Sequence, residues 1–190
     1  MELKTERLTV REWRASDLED LVEGLNDLSV AEWMAFVPHP YTRDDGTSWI
    51  KFCIASAAEL PRRNYHLAIS LDQESKVIGG MSLDGIEFQH GTAGGGIWLN
   101  AQYHKRGYGT EAFTARVRFA FEELNLRRIE NGYFEGNDAS RKMLEKLKYK
   151  VEGLKKQRFI CRADGKPRNE VVMALLREDW TPCISGSQQE

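Results

Sequence analysis

The sequence predicts an α+β domain in three layers: a mixed, mostly antiparallel sheet of about seven strands, flanked by about four helices. Three observations carry that expectation. Period-two apolar stretches recur along the chain, amphipathic stretches with N-cap signals lie between them, and a strand, a helix and a strand follow in direct succession over residues 92–134. The last pattern calls for a parallel crossover, whereas the short polar turns elsewhere call for hairpins. With 190 residues and 41% apolar content, the chain can bury one sizeable core. Residues 1–180 read as one domain and residues 181–190 as a disordered tail, polar from Ser185 to its end.

Leu8 and Val10 alternate with Thr9 and Arg11 in a strand over residues 7–13. Ser16-Asp17-Leu18-Glu19 reads as a capping box, and Leu18, Leu21, Val22 and Leu25 as one helical stripe. Pro38 and Pro40 keep their neighbourhood extended, so a short helix fits only before Val37. Thr42 to 45 offers the next cap, and Trp49, Phe52, Cys53 and Leu60 space themselves along a helix that stops at Pro61. Residues 65–71 and 76–83 form a hairpin around Asp72-Gln73-Glu74-Ser75, where Gly79-Gly80 signals a bulge or close backbone packing.

The strand at 92–100 carries Gly94-Gly95-Gly96, which is unfavourable unless the backbone bends or something lies against it. Past residue 112, Phe113, Val117, Ala120, Phe121 and Leu124 mark the buried face of a helix, with Arg116 and Arg118 on its solvated side. Residues 128–134 are a strand. Asn137-Asp138-Ala139-Ser140 then caps a helix with Met143, Leu144 and Leu147 as its stripe, and residues 151–162 and 169–176 close the chain as a hairpin.

Between the glycine-bearing strand and the long helix lies Tyr103-His104-Lys105-Arg106-Gly107-Tyr108-Gly109-Thr110-Glu111-Ala112. Gly107 and Gly109 remove two β-carbons where a ligand can approach the main chain. The helix that follows points its unpaired N–H groups and positive dipole end at the same spot, the physics of a phosphate cradle. A tight turn entering a helix needs glycine for steric reasons too, so both readings stay open on the turn alone.

Composition excludes several classes. The 27 basic and 29 acidic residues leave a net charge of −2, no field that recruits nucleic acid or an anionic membrane. The basic run of Lys142, Lys146, Lys148, Lys150, Lys155, Lys156 and Arg158 is interleaved with acids and carries no nucleic-acid motif. No apolar run spans a membrane and no apolar leader opens the chain, so a cytoplasmic location is expected. Cys53, Cys161 and Cys183, odd in number and without metal-ligand spacing, read as free thiols, and no metal is expected.

Five motifs in order resemble the GNAT superfamily of acyl-CoA-dependent N-acetyltransferases, and within it the ribosomal-protein N-terminal acetyltransferases. They are Thr5-Glu6-Arg7-Leu8-Thr9-Val10-Arg11, Pro40-Tyr41-Thr42, Arg106-Gly107-Tyr108-Gly109-Thr110-Glu111-Ala112, Asn137-x-x-Ser140 and Glu152-Gly153. The resemblance implies a central parallel pair that splays apart, with acetyl-CoA as cosubstrate in the gap. Ile97, Trp98 and Leu99 would hydrogen-bond its pantetheine arm, backbone N–H groups across Lys105, Arg106, Gly107, Tyr108, Gly109 and Thr110 would hold its pyrophosphate, and Asn137 would hold the arm from the other side. Lys105, Arg141 and Lys142 are candidates for the nucleotide phosphates.

Departures from the family pattern are specific. His104 stands where the turn usually opens with Gln or Arg, Leu144 where many members carry a tyrosine acid, and Lys148 where a glycine ends the last helix. Glutamate bases are replaced by Gly94 and by Arg158 and Phe159, leaving Glu87, Glu135, His90 or water as bases and Ser140 as proton donor to the thiolate. A backbone N–H near Trp98 would serve the oxyanion. Trp33, Met34, Phe36, His39, Tyr41 and Trp49 wall an acceptor pocket or simply fill the core. The expected reaction is acetyl transfer to a primary amine, of a protein N-terminus or a small molecule such as a polyamine or aminoglycoside, by a monomer or homodimer. The alternative is a non-catalytic acyl-CoA-binding module.

Overall fold

The computed structural model describes residues 1–72 and 76–180, so Cys183, the tail and most of the turn at 72–75 lie outside the described residues. Its strands are β1 (Glu2–Lys4), β2 (Leu8–Glu12), β3 (Tyr65–Leu71), β4 (Val77–Glu87), β5 (Thr92–Gly94), β6 (Ile97–Leu99), β7 (Arg128–Phe134), β8 (Lys150–Ile160) and β9 (Pro167–Leu176). Among the described residues they form one sheet in the order β1-β2-β3-β4-β5-β7-β9-β8, with β6 continuing beside β4. Every pairing is antiparallel except β5 with β7. The helices are α1 (Leu18–Leu25), α2 (Leu28–Ala31), α3 (Arg43–Ala57), α4 (Tyr108–Arg118) and α5 (Asp138–Lys146).

Two strands exceed the expected seven. Thr5 turns the chain back through its N–H to the Leu8 carbonyl at 2.9 Å, which lets β1 pair with β2. The predicted strand at 92–100 breaks in two. Gly95 takes φ +136°, and a β-carbon there would collide with the Ser82 carbonyl and the Arg116 guanidinium. Only glycine makes that bend.

The layers follow from which residues face which way. On one side α4 and α5 bury Phe113, Val117, Phe121 and Leu144 against Ile129, Met173 and Leu175 of the sheet. Leu8, Val10, Ile69, Ile78 and Met81 extend this layer under Ala112. On the other side α1 and α3 cover Trp13, Ala68 and Val77 with Leu21, Leu25, Ile50 and Cys53. The stripe that α4 was expected to bury is fully buried at Phe113, Val117, Ala120 and Phe121. The helix continues past Arg118 through a π-type turn at Phe119–Glu123, closed by the Leu124 N–H on the Phe119 carbonyl at 3.1 Å.

Three local readings are corrected. Asp17, not Ser16, organises the entry to α1: its carboxylate accepts from the Arg14 N–H at 2.8 Å and from both Arg11 amino groups at 2.8 and 2.9 Å. The Thr42–Asp45 capping box of α3 is present, but its inward face is Gly46, Ile50 and Cys53, while Phe52 and Leu60 are exposed. Arg116 is not solvated. Three residues beyond Phe113 it lies on the same inner face of α4, 2% exposed.

Candidate active site

The broken strand opens a gap in the sheet. β5 pairs with β7 only at Thr92↔Arg128 and Ala93↔Ile129, after which β6 stays with β4 and the two parallel strands part. The Ser82 N–H donates to the Gly96 carbonyl at 2.8 Å and the Asn100 N–H to the Ile78 carbonyl at 2.9 Å, so even-numbered residues of β6 face β4. By antiparallel alternation the main-chain groups of Ile97 and Leu99 face the gap. The expected set of three narrows to two, because Trp98 lies opposite Gly80 and its ring packs against Gly24 and Gly80. The Leu99 carbonyl accepts from Nε2 of His104 at 2.9 Å, so that imidazole ties the turn to the strand.

Arg116 bridges the parting strands from below. It donates through Nη2 to the Gly94 carbonyl on β5 at 2.7 Å and through Nη1 to Asn131 Oδ1 on β7 at 2.9 Å, and its guanidinium lies 4.4 Å from the Phe113 ring centroid. Burial pulls its pKa down, while Tyr149 and Asp84 oppose that shift. The splay creates the polar acceptors that a buried arginine requires.

At the far end of β6 the main chain curls into a cradle. Lys105 (φ 61°) and Gly107 (φ 85°) both take left-handed conformations, which turn successive N–H groups toward one point. α4 has no side-chain cap, and its first intrahelical bond is the Glu111 N–H on the Gly107 carbonyl at 3.0 Å. The N–H groups of Tyr108, Gly109 and Thr110 therefore lack helical partners and present the positive end of the dipole. Lys105 and Arg106 are exposed beside them.

Two motifs a hundred residues apart interlock behind this cradle. Glu111 accepts from Thr5 Oγ1 at 2.6 Å, the Arg7 N–H at 2.9 Å and Arg7 Nε at 2.7 Å. Arg7 in turn donates to the Arg106 carbonyl at 3.1 Å and covers the Tyr108 ring at 4.5 Å. Partial burial works against ionising Glu111, but the bonds from Thr5 and Arg7 prevail and hold its carboxyl below the usual range. A depressed folded pKa stabilises above the unfolded value and is lost as pH falls through the folded one. Glu111→Gln is therefore expected to cost about 1–2 kcal/mol at neutral pH and to converge on the parent as pH falls below the usual carboxylate range, as read by denaturant unfolding across that range.

Asn137 and Ser140 form the opposite lip. Asn137 Oδ1 accepts from the Ser140 N–H at 3.1 Å and so caps α5, which leaves the Ser140 hydroxyl and the Asn137 amino group outside the cap. Leu144 is fully buried, and Lys148 keeps the left-handed conformation of a glycine site with φ 70°. Arg141 is engaged by Asp138 and Glu145 on its own helix, both at 3.1 Å.

Beyond the break lies a cleft of about 190 Å³ lined by Gly94, Gly95, Glu130, Gly132 and Glu170 among others. The Glu170 carboxylate lies flat on Gly132, where any β-carbon would collide with it, and Lys155 and Arg158 approach at 3.6 and 4.0 Å. Of the expected bases, Glu87 pairs with Arg63 and His90 is exposed in the β4–β5 turn, at the opposite end of β5 from the break, while Glu135 accepts from Asn169. The aromatic set divides: Tyr41 is buried, Trp49 and Met34 pack on the core, and Trp33, Phe36 and His39 are exposed. The basic run is partly neutralised, as Lys150 meets Asp179 at 2.9 Å and Lys155 and Arg158 meet Glu170. Cys53 is buried and its thiol is pushed up to about 12, and Cys161 packs against the Glu32 and Met34 carbonyls. Neither thiol is a nucleophile here. Among the described residues no group of His, Cys, Asp and Glu has the arrangement to hold a metal, and no helix is long and apolar enough to cross a membrane.

Comparison with known proteins fits this geometry. The sequence model of the acetyltransferase (GNAT) domain matches residues 7–150. An uncharacterized N-acetyltransferase p20 of Bacillus licheniformis is 26% identical over 178 residues, covering 94% of this chain and 97% of the relative. The [ribosomal protein uS5]-alanine N-acetyltransferase of Escherichia coli is 31% identical over 87 residues, 46% of this chain and 44% of that one. The crystal structure of spermidine N-acetyltransferase from Vibrio cholerae, in complex with CoA and spermine, superposes with a TM-score of 0.77 at 18% identity, covering 92% of this chain and 98% of that one. With the splayed sheet, the uncapped helix start and the family match in hand, the chain belongs to the GNAT acetyltransferases, enzymes that move an acetyl group from acetyl-CoA to an amine.

Proposed function

We propose that residues 1–180 act as one acetyltransferase unit whose acceptor is the primary amine of a peptide N-terminus. The observation that carries this reading is the parting of β6 from β7 beyond Ala93↔Ile129, which leaves the main chain of Ile97 and Leu99 unpaired by a neighbouring strand. Exposed Trp33 and Phe36 add apolar surface on the loop before α3, which the Arg162 N–H holds through the Ala35 carbonyl at 3.1 Å. The partial match to a ribosomal-protein N-acetyltransferase supports the same acceptor class. A polyamine acceptor is the second reading, supported by the spermine-bound fold relative.

In this reading the cleft-facing groups of Ile97 and Leu99 hydrogen-bond the pantetheine amides as an added strand would, while Trp98 between them pairs with Gly80 of β4 and anchors β6. The Tyr108, Gly109 and Thr110 N–H groups take the pyrophosphate, with Lys105, Arg106 and Gly107 shaping the approach. The Asn137 amino group, free of the α5 cap, donates to the arm from the far lip. The Ile97 N–H, at the bend, stabilises the oxyanion, and the Ser140 hydroxyl returns a proton to the departing thiolate.

Calorimetric titration of acetyl-CoA, followed by free-thiol release across a panel of peptides, polyamines and aminoglycosides, tests the reading. The expected result is acetyl-CoA binding with fastest turnover on a peptide N-terminus. Binding without turnover on any amine would identify a non-catalytic acyl-CoA module instead. Fastest turnover on a polyamine would select the second reading.

A further inference from the structure

Buried polar atoms in folded proteins almost always find partners. Here three that do not lie side by side: both ring nitrogens of His66 on β3 and Oδ1 of Asp84 on β4 have no hydrogen-bond partner in the protein. His66 Nδ1 and Asp84 Oδ1 are 3.4 Å apart, and the His66 side chain is 10% exposed. The rings of Trp49 and Phe52 from α3 each lie 5.2 Å from the imidazole centroid. Nothing in core packing requires such a group, and leaving polar atoms unpaired costs about 1–3 kcal/mol apiece.

The cluster sits at the strand break. Asp84 is paired directly across from Gly94, so both face the α1–α3 side of the sheet at the last residue before β5 leaves β4. The second Asp84 oxygen accepts from the Ser82 hydroxyl at 2.6 Å, and that hydroxyl accepts from the Gly96 N–H at 3.2 Å. A chain of polar contacts thus runs from the bend, past Ser82, to a carboxylate with one free oxygen and an imidazole behind it.

We propose that Asp84 and His66 form the amine-receiving dyad of this acetyltransferase, the Asp84 carboxylate, 40% exposed, docking the primary ammonium of the acceptor while its buried Oδ1 and His66 Nδ1 share the proton taken up. The inference rests on the acetyl-transfer reading above. The ammonium loses one proton into the 3.4 Å gap between Oδ1 and Nδ1, where it completes both orphan atoms. The freed amine lone pair forms the N–C bond to the thioester carbonyl, and the C–S bond breaks with its electrons on the CoA sulfur. The second N–H proton of the intermediate is released as the amide forms, and the thiolate is protonated, so charge and protons balance. Trp49 and Phe52 offer the acceptor's cationic end aromatic faces on the approach.

The surroundings keep His66 a neutral base. Burial lowers its pKa, Asp84 opposes that, Arg62 from the loop before β3 lowers it further and Glu59 from the same loop raises it. Cys53 from α3, its thiol held protonated by burial, adds no charge, and Arg62 is itself paired with Glu12 at 2.6 Å. Because Asp84 raises the His66 value, removing Asp84 moves the acidic limb of the rate profile to lower pH.

The test compares the intact protein with Asp84→Asn, Asp84→Glu, His66→Gln and Glu170→Gln, using the amine of the panel above that the parent acetylates fastest. Measured are kcat/KM against pH, acetyl-CoA affinity and Tm. Asp84→Asn is expected to lose about 100-fold in kcat/KM, with its acidic limb displaced to lower pH and acetyl-CoA affinity unchanged. His66→Gln is expected to lose about 10-fold and its acidic limb, and Asp84→Glu to recover part of the Asn loss. Activity of Asp84→Asn within about three-fold of the parent overturns the proposal, as does parallel loss of Tm and acetyl-CoA affinity in both dyad variants, which marks a structural role. Loss confined to Glu170→Gln moves the base across the cleft to β9 and equally overturns it. A parent that binds acetyl-CoA and acetylates no amine removes the functional reading itself, a result distinct from an active parent with active dyad variants.

Discussion

Gly107→Glu is expected to weaken acetyl-CoA binding by about 100-fold, or about 2.7 kcal/mol. Gly107 is the N-cap of α4, holds φ 85°, and precedes the three N–H groups that lack helical partners. An added carboxylate there places like charge against a pyrophosphate and competes for those donors. Any side chain also strains the left-handed backbone, and its β-carbon would sit 3.3 Å from Arg7 Nη2. Gly107→Ala separates the two effects: it carries the strain without the charge and should change affinity only a few-fold. Calorimetry on all three proteins settles the point. Equal affinity in the parent and the Glu variant would place the pyrophosphate elsewhere.

Arg116→Met is expected to lower stability by about 3 kcal/mol and Tm by roughly 6–12 °C. Methionine fills much of the volume but leaves the Gly94 carbonyl and Asn131 Oδ1 buried without their donor. The loss is tempered because the parent pays to desolvate a guanidinium whose Nε has no partner in the protein. Thermal unfolding of the two proteins gives the answer, and a shift under about 2 °C would show that the splay holds without its bridge.

The fold was largely legible because burial followed period. Phe113, Val117 and Phe121 announced α4, and Asn137 and Thr42 announced the caps of α5 and α3, since each signal is local. The break at Gly95 was half legible: three glycines in a strand demanded a bend, but whether the strand would split depended on β7 leaving, a non-local event. Arg116 was misread because helical spacing places it inward while its charge argues outward, and only the unpaired carbonyl made by the splay resolves the conflict. In the candidate site, the turn from Lys105 into the uncapped start of α4 was readable because its glycines and the helix that follows lie in one short stretch. The strap of Thr5 and Arg7 onto Glu111, the Glu170 carboxylate over Gly132 and the His66–Asp84 contact were not, since each joins residues whose separation in sequence carries no spacing rule. Gly132 in mid-strand was the one available hint of an approaching group.

In the proposed binding mode acetyl-CoA pairs with the gap-facing main chain of Ile97 and Leu99, which would tie the lifetime of this protein to metabolism. A sheet whose missing neighbour is a metabolite has part of its cohesion supplied from outside the gene. A ligand bound to the folded chain and not to the unfolded one adds about 2.7 kcal/mol at a hundred times its dissociation constant. With that mode, the population open to proteases is expected to rise as acetyl-CoA falls, which limited proteolysis with and without acetyl-CoA would read.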